Sequence, residues 1–461
     1  MPGKMKISIF FFLVWVTILS IGASVHAEST GPGENVVSLD ELYKLALDRS
    51  EQVGISEEDL FLARQTRKKA FSVLVPELSA FGTYTRYMQS DSLADAFSAP
   101  EGFDAADAFS FSSPDSTTMW GLQLSQTFTL NGKELIALKI TGETIEKNEY
   151  DLSTVKEEFL LGVAAAYYNV MRSVKAMDIA LANVERLTTY RDSVSVKLSL
   201  EEVPKTDMYR AEAELSSAKA ELIATENAVK YAKAALSQLV GFEGDYSVSD
   251  VAAGPDPTKT SEIEDLKEVA FQRRTELKSM EKQKIIADDQ VRFYRSEYWP
   301  TVSIAGSYSK TEAEPADALV MSSEDLSASL TVNLPLFDGG LKKAQVGEAF
   351  SKKRQADLAY RSTKKQIALE VEQSYLAVVS ARGVLEALGD QVTFARHNYE
   401  AVLKQFKFGM ANSVDIMDAN TSLVTAERQL TDANYTYQLA ILKLSRSQGL
   451  FLSSLEEKGL L

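Results

Sequence analysis

Four short stretches of the chain alternate between apolar and small polar residues. In the first half, Leu78, Ala80, Gly82 and Tyr84 alternate with Ser79, Thr83 and Thr85, and Trp120, Leu122 and Leu124 alternate with Gly121, Gln123 and Ser125. In the second half, Val302, Ile304, Gly306 and Tyr308 alternate with Ser303, Ser307 and Ser309. Ala328, Leu330, Val332 and Leu334 do the same with Ser327, Ser329, Thr331 and Asn333. A period of two predicts strands with one apolar and one polar face. Transmembrane β-strands need ~9–11 such residues, with lipid on one side and water on the other. A half-buried soluble sheet carries the same pattern. Trp120, Tyr84, Tyr87 and Tyr308 lie toward one end of the strands and Trp299 and Phe128 toward the other, where interfacial aromatic girdles sit.

The helical segments separate these readings. Glu134–Leu200 and Leu341–Phe408 run without proline, and at 1.5 Å per residue each extends about 100 Å. In the first, Val155, Phe159, Val163, Ala166, Val170, Val174, Met177, Leu181 and Val184 form one stripe with a spacing close to 3.6, so little supercoiling is expected. Helices this long make a shaft, not a globular core. Glu41–Val75 and Asp207–Val240 are half as long, and are predicted to stack end to end along the first long helix. Asp265–Trp299 and Asp415–Gln448 repeat the arrangement in the second half. The segment after Asp207 is rich in alanine (Ala211, Ala218, Ala232 among others), which permits close helix approach.

The chain is thus written twice. Pro76, Gly82 and Tyr84 recur as Pro300, Gly306 and Tyr308, a shift of 224. From Gly121 to Gly241 the shift is 208 without a gap, so Tyr167, Asp207, Ala211 and Gly241 recur as Tyr375, Asp415, Ala419 and Gly449. The 16-residue difference belongs to one longer connection between Tyr84 and Gly121 in the first copy. A long-period repeat predicts one structural unit used twice. Pro76 and Pro300 mark helix-to-strand junctions, since proline disfavours a helical residue before it. Asn131-Gly132 and Gly339-Gly340 mark the return to helix.

Composition narrows the address. Lys4 and Lys6 precede the apolar run Ile7–Ile21, and Ala23-Ser24-Val25-His26-Ala27 offers small residues before a cut at Glu28, as in a secretory signal. Cleavage takes the formal charge from −16 to −18. No later segment reaches the ~18 consecutive apolar residues of a membrane helix, so entry into a membrane would be by strands. There is no Cys, and after cleavage only His397. This excludes thiol chemistry and Cys/His zinc sites, and an acidic chain disfavours nucleic acid. No phosphate loop or nucleophile elbow is present. No cofactor and no enzyme activity are expected.

Four strands cannot close a barrel, and lipid does not tolerate an open edge. Three chains would supply twelve strands, within the bacterial range, whereas two would give an eight-stranded barrel filled by side chains. The expected fold is therefore an α+β membrane protein: a trimeric outer-membrane β-barrel, four strands per chain, continuous with a long periplasmic α-helical barrel. The expected organisation is a signal at 1–27, a first unit at 28–241, a linker at 242–261, a second unit at 262–450 and a tail at 451–461.

Two motifs resemble the TolC family of outer-membrane efflux proteins. One is Leu334-Pro335-Leu336-Phe337-Asp338-Gly339-Gly340 after the last strand; the other is the hairpin tip Phe408-Gly409-Met410-Ala411-Asn412-Ser413-Val414-Asp415-Ile416, followed by Ala419 and Leu423. The resemblance runs over roughly residues 36 to 450. It implies a homotrimeric duct that receives substrate from an inner-membrane RND or ABC transporter through a periplasmic adaptor protein, with outer-membrane lipid around its barrel. The first tip departs from the pattern, with Glu201 at the glycine position and Pro204 added before Thr206 and Asp207. A differently built turn is expected there.

By the same resemblance Asp415 and Asp418 match an acidic pair that lines the periplasmic constriction. Three apart, they share a helix face, and three chains would gather six carboxylates that attract cations. Asp207 and Asp415 also suit a helix's first turn, with Ser413 or Thr206 as cap. Arg210, the counterpart of Asp418, is a candidate partner for it across neighbouring hairpins, and Phe406 is a candidate constriction residue. A basic residue frequent in the family is replaced by Ala411. Glu201, Pro204, Thr206, Gly409, Asn412 and Ser413 are the expected adaptor contacts. The loops Met88–Met119 and Lys310–Asp325 lie opposite the shaft, on the expected extracellular side; the first is rich in Asp and Phe. Alternatives are an exit duct for secreted polypeptides and a non-conducting periplasmic coiled-coil scaffold, which leaves the strands unexplained.

Overall fold

The computed structural model describes residues 36–88, 115–242, 262–314 and 323–460, with Gly244, 246–249, Asp256 and Thr258 between. The expected signal, most of the first strand-connecting loop and half of the second lie outside the described residues. The chain runs β1 (Val36–Val37), α1 (Leu39–Arg49), α2 (Glu51–Ser72), β2 (Glu77–Arg86), β3 (Ser116–Thr129), α3 (Lys133–Ser199) and α4 (Lys205–Val240). It continues through β4 (Ser247–Val248), α5 (Ile263–Arg273), α6 (Thr275–Ser296), β5 (Thr301–Glu314) and β6 (Glu324–Asn333). The last elements are α7 (Leu341–Lys407), α8 (Ser413–Ser447) and α9 (Phe451–Glu457). Both long helices have 67 residues. Gly132 and Gly340 precede them in left-handed conformation, at the strand-to-helix returns.

The four strands form one antiparallel sheet in the order β2-β3-β5-β6. Its register aligns Leu78, Leu124, Gly306 and Ala328 in one row and Ala80, Leu122, Tyr308 and Leu326 in the next. All predicted apolar positions within the strands share a face, and that face is largely open: Leu78 is 67% and Leu330 68% exposed, with Val302 at the helical end buried. Trp120 and Tyr308 meet edge to face on it, ring centroids 6.2 Å apart. Serines and threonines predominate on the other face, which also carries Phe81 and Met119, and there the Thr127 and Ser303 hydroxyls lie 2.9 Å apart. β3 and β5 are longer than the apolar alternation predicts. Residues Lys310–Glu314, expected in a loop, pair instead with Ser116–Trp120, because ladder hydrogen bonds continue past the last apolar side chain.

Nearer the sheet the helices lie side by side in the order α2-α3-α6-α7, and toward the far end in the order α4-α3-α8-α7. The predicted end-to-end stacking is therefore present, but the expected helices Glu41–Val75 and Asp265–Trp299 are not continuous. Each is interrupted after an 11-residue helix, at Ser50 (φ −76°, ψ 118°) and at Arg274 (φ −56°, ψ 123°). Ser50 acts as a cap, its hydroxyl accepting from Val53 N at 3.3 Å. The described residues of the expected linker make tertiary contacts as well: β4 pairs in parallel with β1, and Asp256 accepts from Arg382 Nη1 at 2.8 Å and Tyr437 OH at 3.0 Å. In the expected tail, α9 buries Phe451 and Leu455 in the core around Tyr43, Leu160 and Tyr167.

The second interruption holds a charge network. Arg274, almost fully buried, donates to Glu276 at 2.7 Å, to Glu370 at 2.9 Å and to the Ser447 carbonyl at 3.3 Å. Arg446 donates to Glu370 at 2.7 Å, to Glu158 at 2.9 Å and to Glu276 at 3.1 Å. Four helical segments are thereby clamped at one level. Glu157 beside them is 2% exposed, and its Oε2 has no hydrogen-bond partner among the described residues. Burial, reinforced by the charge of Glu276, pushes its carboxyl up to about 7 from an ordinary 4.5. The folded form therefore binds this proton more tightly than the unfolded form does. Stability from this group is full below about pH 4.5, falls as pH rises to about 7, and is flat above. Glu157→Gln should thus stabilise the protein by about 2 kcal/mol at pH 8 and far less at pH 4.5. Thermal unfolding at both pH values checks this; an equal gain at both would contradict it.

Candidate functional site: the helical tips

The two long helices turn back through the same bend. Leu200 (φ −96°, ψ 5°) and Phe408 (φ −94°, ψ 7°) end α3 and α7. Glu201 (φ 62°) and Gly409 (φ 74°) then take the left-handed conformation. Glu201 N donates to Leu198 O at 3.0 Å and Glu202 N to Lys197 O at 2.9 Å. Gly409 N and Met410 N repeat this to Phe406 O and Gln405 O, at 3.1 and 2.8 Å. The expectation of a differently built first turn is overturned. Glu201 adopts the glycine conformation because the chain must reverse at the same residue, at a cost of about 1 kcal/mol. It is the only non-glycine with positive φ among the described residues.

The helices that leave the tips start differently. Asn412 caps α8, its Oδ1 accepting from Val414 N at 2.8 Å and Asp415 N at 3.1 Å. Asp415 Oδ2 accepts from Asn412 N at 2.9 Å, completing a capping box. Ser413 and Thr206 are therefore not caps: Asn412 holds that position in the second tip, and in the first Pro204 occupies it without a side-chain bond. Ser413 instead is buried and lies 2.7 Å from the Tyr190 hydroxyl. Burial raises the Tyr190 phenol, with the Ser413 hydrogen bond opposing.

Tyr190 is the centre of the tip core. Its ring lies 5.4 Å from that of Phe406, which is 3% exposed. Lys197 Nζ sits 4.8 Å from the centre of the Phe406 ring and donates to the Phe406 carbonyl at 2.9 Å. Phe406 is thus enclosed between the protomer's own hairpins. Higher up, Asn420 Nδ2 donates to Asn183 Oδ1 at 2.9 Å, and Glu427 receives Arg186 at 3.5 Å and Arg396 at 3.0 Å. These contacts join α3 to α8 and leave the opposite surface free.

Asp415, Asp418 and Arg210 are exposed there, and Asp207 is half-buried. Among the described residues, Arg210 and Asp418 form no ion pair within the protomer. Leu200 and Phe408, 208 positions apart, are 62% and 79% exposed, with Met410 beside Phe408. This apolar pair and the Tyr190–Lys197 clasp were not singled out from the sequence. The shift of 208 relates Leu200 to Phe408; nothing local marks the clasp, whose partners lie more than 200 residues apart.

Two open features now stand together: an apolar strand face at one end and paired helical turns with exposed carboxylates at the other. The family model described as outer membrane efflux protein matches residues 42–242 and 266–450. The chain belongs to this family. The outer membrane protein TolC of Escherichia coli strain K12 is 23% identical over 96% of this chain and 87% of its own. That of Salmonella enteritidis is 24% identical over 96% and 86%. The fold is shared with the outer membrane protein VceC from Vibrio cholerae, at a TM-score of 0.74 and 17% identity over 89% of this chain and 96% of that one. It is also shared with the CmeC outer membrane channel of Campylobacter jejuni, at 0.76 and 16% over 91% and 89%. The resemblance read from the tip and strand-end motifs is borne out, and the protein is an outer-membrane protein of the TolC family, several of whose structural neighbours are named as outer-membrane channels. Among the described residues no helix is long and apolar enough to cross a membrane.

Relief of the left-handed strain gives a direct check on the tip. Glu201→Gly should slow amide exchange at the first tip about fivefold, equivalent to about 1 kcal/mol. Asn412→Ala should speed exchange at the second tip by a similar factor. No change in either would contradict the turn and cap geometry.

Proposed function

We propose that this protein is the outer-membrane exit duct of a tripartite export system. The observation that carries the reading is the open apolar sheet face set at the end of a shaft of 67-residue helices. Three copies place twelve strands in a closed barrel, and the two halves of each chain act as equivalent units around it. The helices then enclose a tunnel through the periplasm. Its energy comes from an inner-membrane RND or ABC transporter, which also chooses the cargo. A periplasmic adaptor engages the tips, for which the exposed Leu200, Phe408 and Met410 supply apolar contact beside Glu201, Pro204, Thr206, Gly409 and Asn412. Ser413 supports this surface from beneath.

Asp415 and Asp418 form the constriction in this reading, with Asp207 and Arg210 on the facing hairpin. Their exposure within one protomer leaves them available to a shared axis. Phe406 acts indirectly, by fixing the hairpins that present the carboxylates. Export of polypeptides uses the same duct with a different pump, and a relative named for pyoverdine export, OpmQ of Pseudomonas aeruginosa, at 23% identity over 90% of this chain, favours small molecules.

Purified protein in planar bilayers should give small cation-selective currents that are blocked by divalent cations added at the tip side. Asp415→Ala with Asp418→Ala should raise conductance or remove that block. Unchanged conductance and block would rule out the acidic constriction. A folded oligomer that never conducts, even with its tips destabilised, would favour a scaffold.

A further inference from the structure

The joint between the two halves of the chain is a template for a joint between copies. α6 is flanked by both α3 and α7, whereas its counterpart α2 has a broad contact with α3 alone. Burial records the difference. Leu277 of α6 and Val53, its counterpart 224 positions earlier, are both buried; this side faces the long helix of the same half. Ser279 and Ile286 of α6 are buried as well, and Ser279 Oγ donates to Asp151 of α3 at 2.6 Å. Their counterparts on α2 are Ile55 and Leu62, 66% and 60% exposed. α7 shows the matching deficit. Farther along the same flank, where α3 meets α8, Tyr168 of α3 is 5% exposed beside Tyr435, and its counterpart Leu376, 208 positions later, is 54% exposed.

The chemistry of the two surfaces changes in step. Lys282 of α6 meets Glu143 at 3.0 Å and Glu146 at 2.5 Å on α3. The counterpart of Lys282 is Glu58, and that of Glu146 is Arg354 on α7: an ion pair with its signs exchanged. The polar pair Ser279–Asp151 corresponds to Ile55 and Ala359. The ion pair Lys133–Glu297, at 2.8 Å, corresponds to Leu341 and Val73, which are 59% and 54% exposed. In each case both members change together. Two unrelated solvent-facing surfaces have no reason to do so.

We propose that the α2 flank of one copy docks on the α7 flank of the next in the register in which α6 lies on α3, with Glu58 paired to Arg354 of the second copy. This rests on the oligomeric duct of the proposed function and adds to it the register and a rule of partner choice. The exchanged signs keep the joints from substituting for each other. α2 set on α3 would bring Glu58 to Glu143 and Glu146, and α6 set on α7 would bring Lys282 to Arg354. Like charges at these points disfavour the wrong pairing, so copies join head to tail and each half meets its opposite.

The chain contains no Cys, which makes cross-linking of the full-length protein in detergent clean. Thr154 and Thr275 hydroxyls lie 2.8 Å apart at the internal joint; their counterparts are Ser362 and Glu51, a spacing suited to a disulfide. Glu51→Cys combined with Ser362→Cys should, on oxidation, convert monomer into chain-to-chain cross-linked oligomer on a denaturing gel. Glu51→Cys with Leu369→Cys, two helical turns away (about 10 Å), should not. Independently, Glu58→Arg should weaken the oligomer, and adding Arg354→Glu should restore it. An oligomer of unchanged mass that cross-links only through position 369, or whose charge reversal is not rescued, overturns the register while leaving the duct intact. A wild-type protein that is monomeric by native mass removes the proposed duct itself.

Discussion

Everything in this molecule follows from what hydrocarbon does to an unpaired peptide group. β2 and β6 form the outer edges of the four-stranded sheet, and each unsatisfied N–H or C=O in lipid costs several kcal/mol. A single chain in the outer membrane is therefore incomplete by construction. In the proposed duct, the exposed apolar rows of the sheet, the free flanks of α2 and α7 and the uncovered apolar residues at the tips are the surfaces that other molecules cover. In the proposed oligomer, pairing the strand edges between copies would set the spacing at which the helices below meet, so barrel closure and shaft assembly would be one requirement. The proposed register between α2 and α7 is how the helical end meets the demand that the strand edges impose.

The shaft itself combines stiffness with local clamps. Long helices gain most of their stability from packing along one face, and here that face is divided into separate cores near the tips, around Tyr190, and near the middle, around Tyr167. Between and beside them the helices are held by polar contacts. The Arg274–Arg446 network buries two guanidinium groups against Glu276 and Glu370. Buried ionic groups add little net stability, but they are directional. They fix the level at which α5 gives way to α6 and hold α7 and α8 to that level. Asp256 does the same for the connecting segment.

Much of this was legible in the sequence. The alternation of Leu78 to Tyr84 and of Val302 to Tyr308 gave the strands and their shared apolar side, because a period of two survives any tertiary context. Proline-free spacing and Gly132 and Gly340 gave the long helices to within a residue or two. What stayed hidden has its cause far along the chain. The break at Arg274 depends on Glu370 and on the Ser447 carbonyl, which only the fold brings near. Glu201 in a glycine conformation contradicts local propensity and is imposed by the reversal of α3 into α4. The cap of α8 was displaced by one residue, since Asn412 and Ser413 are both good caps and the choice turns on Tyr190 engaging Ser413. Phe406 reads as a constriction residue from its place in the tip, but the opposing hairpin covers it.

The central claim is that strands and helices of several copies form one continuous duct. Electron cryomicroscopy of the protein in lipid nanodiscs tests it most directly. The account predicts three copies around an axis, a twelve-stranded barrel within the disc, and a hollow helical shaft extending about 100 Å from it. A sheet lying outside the lipid, or helices packed into a solid bundle with no lumen, would contradict it.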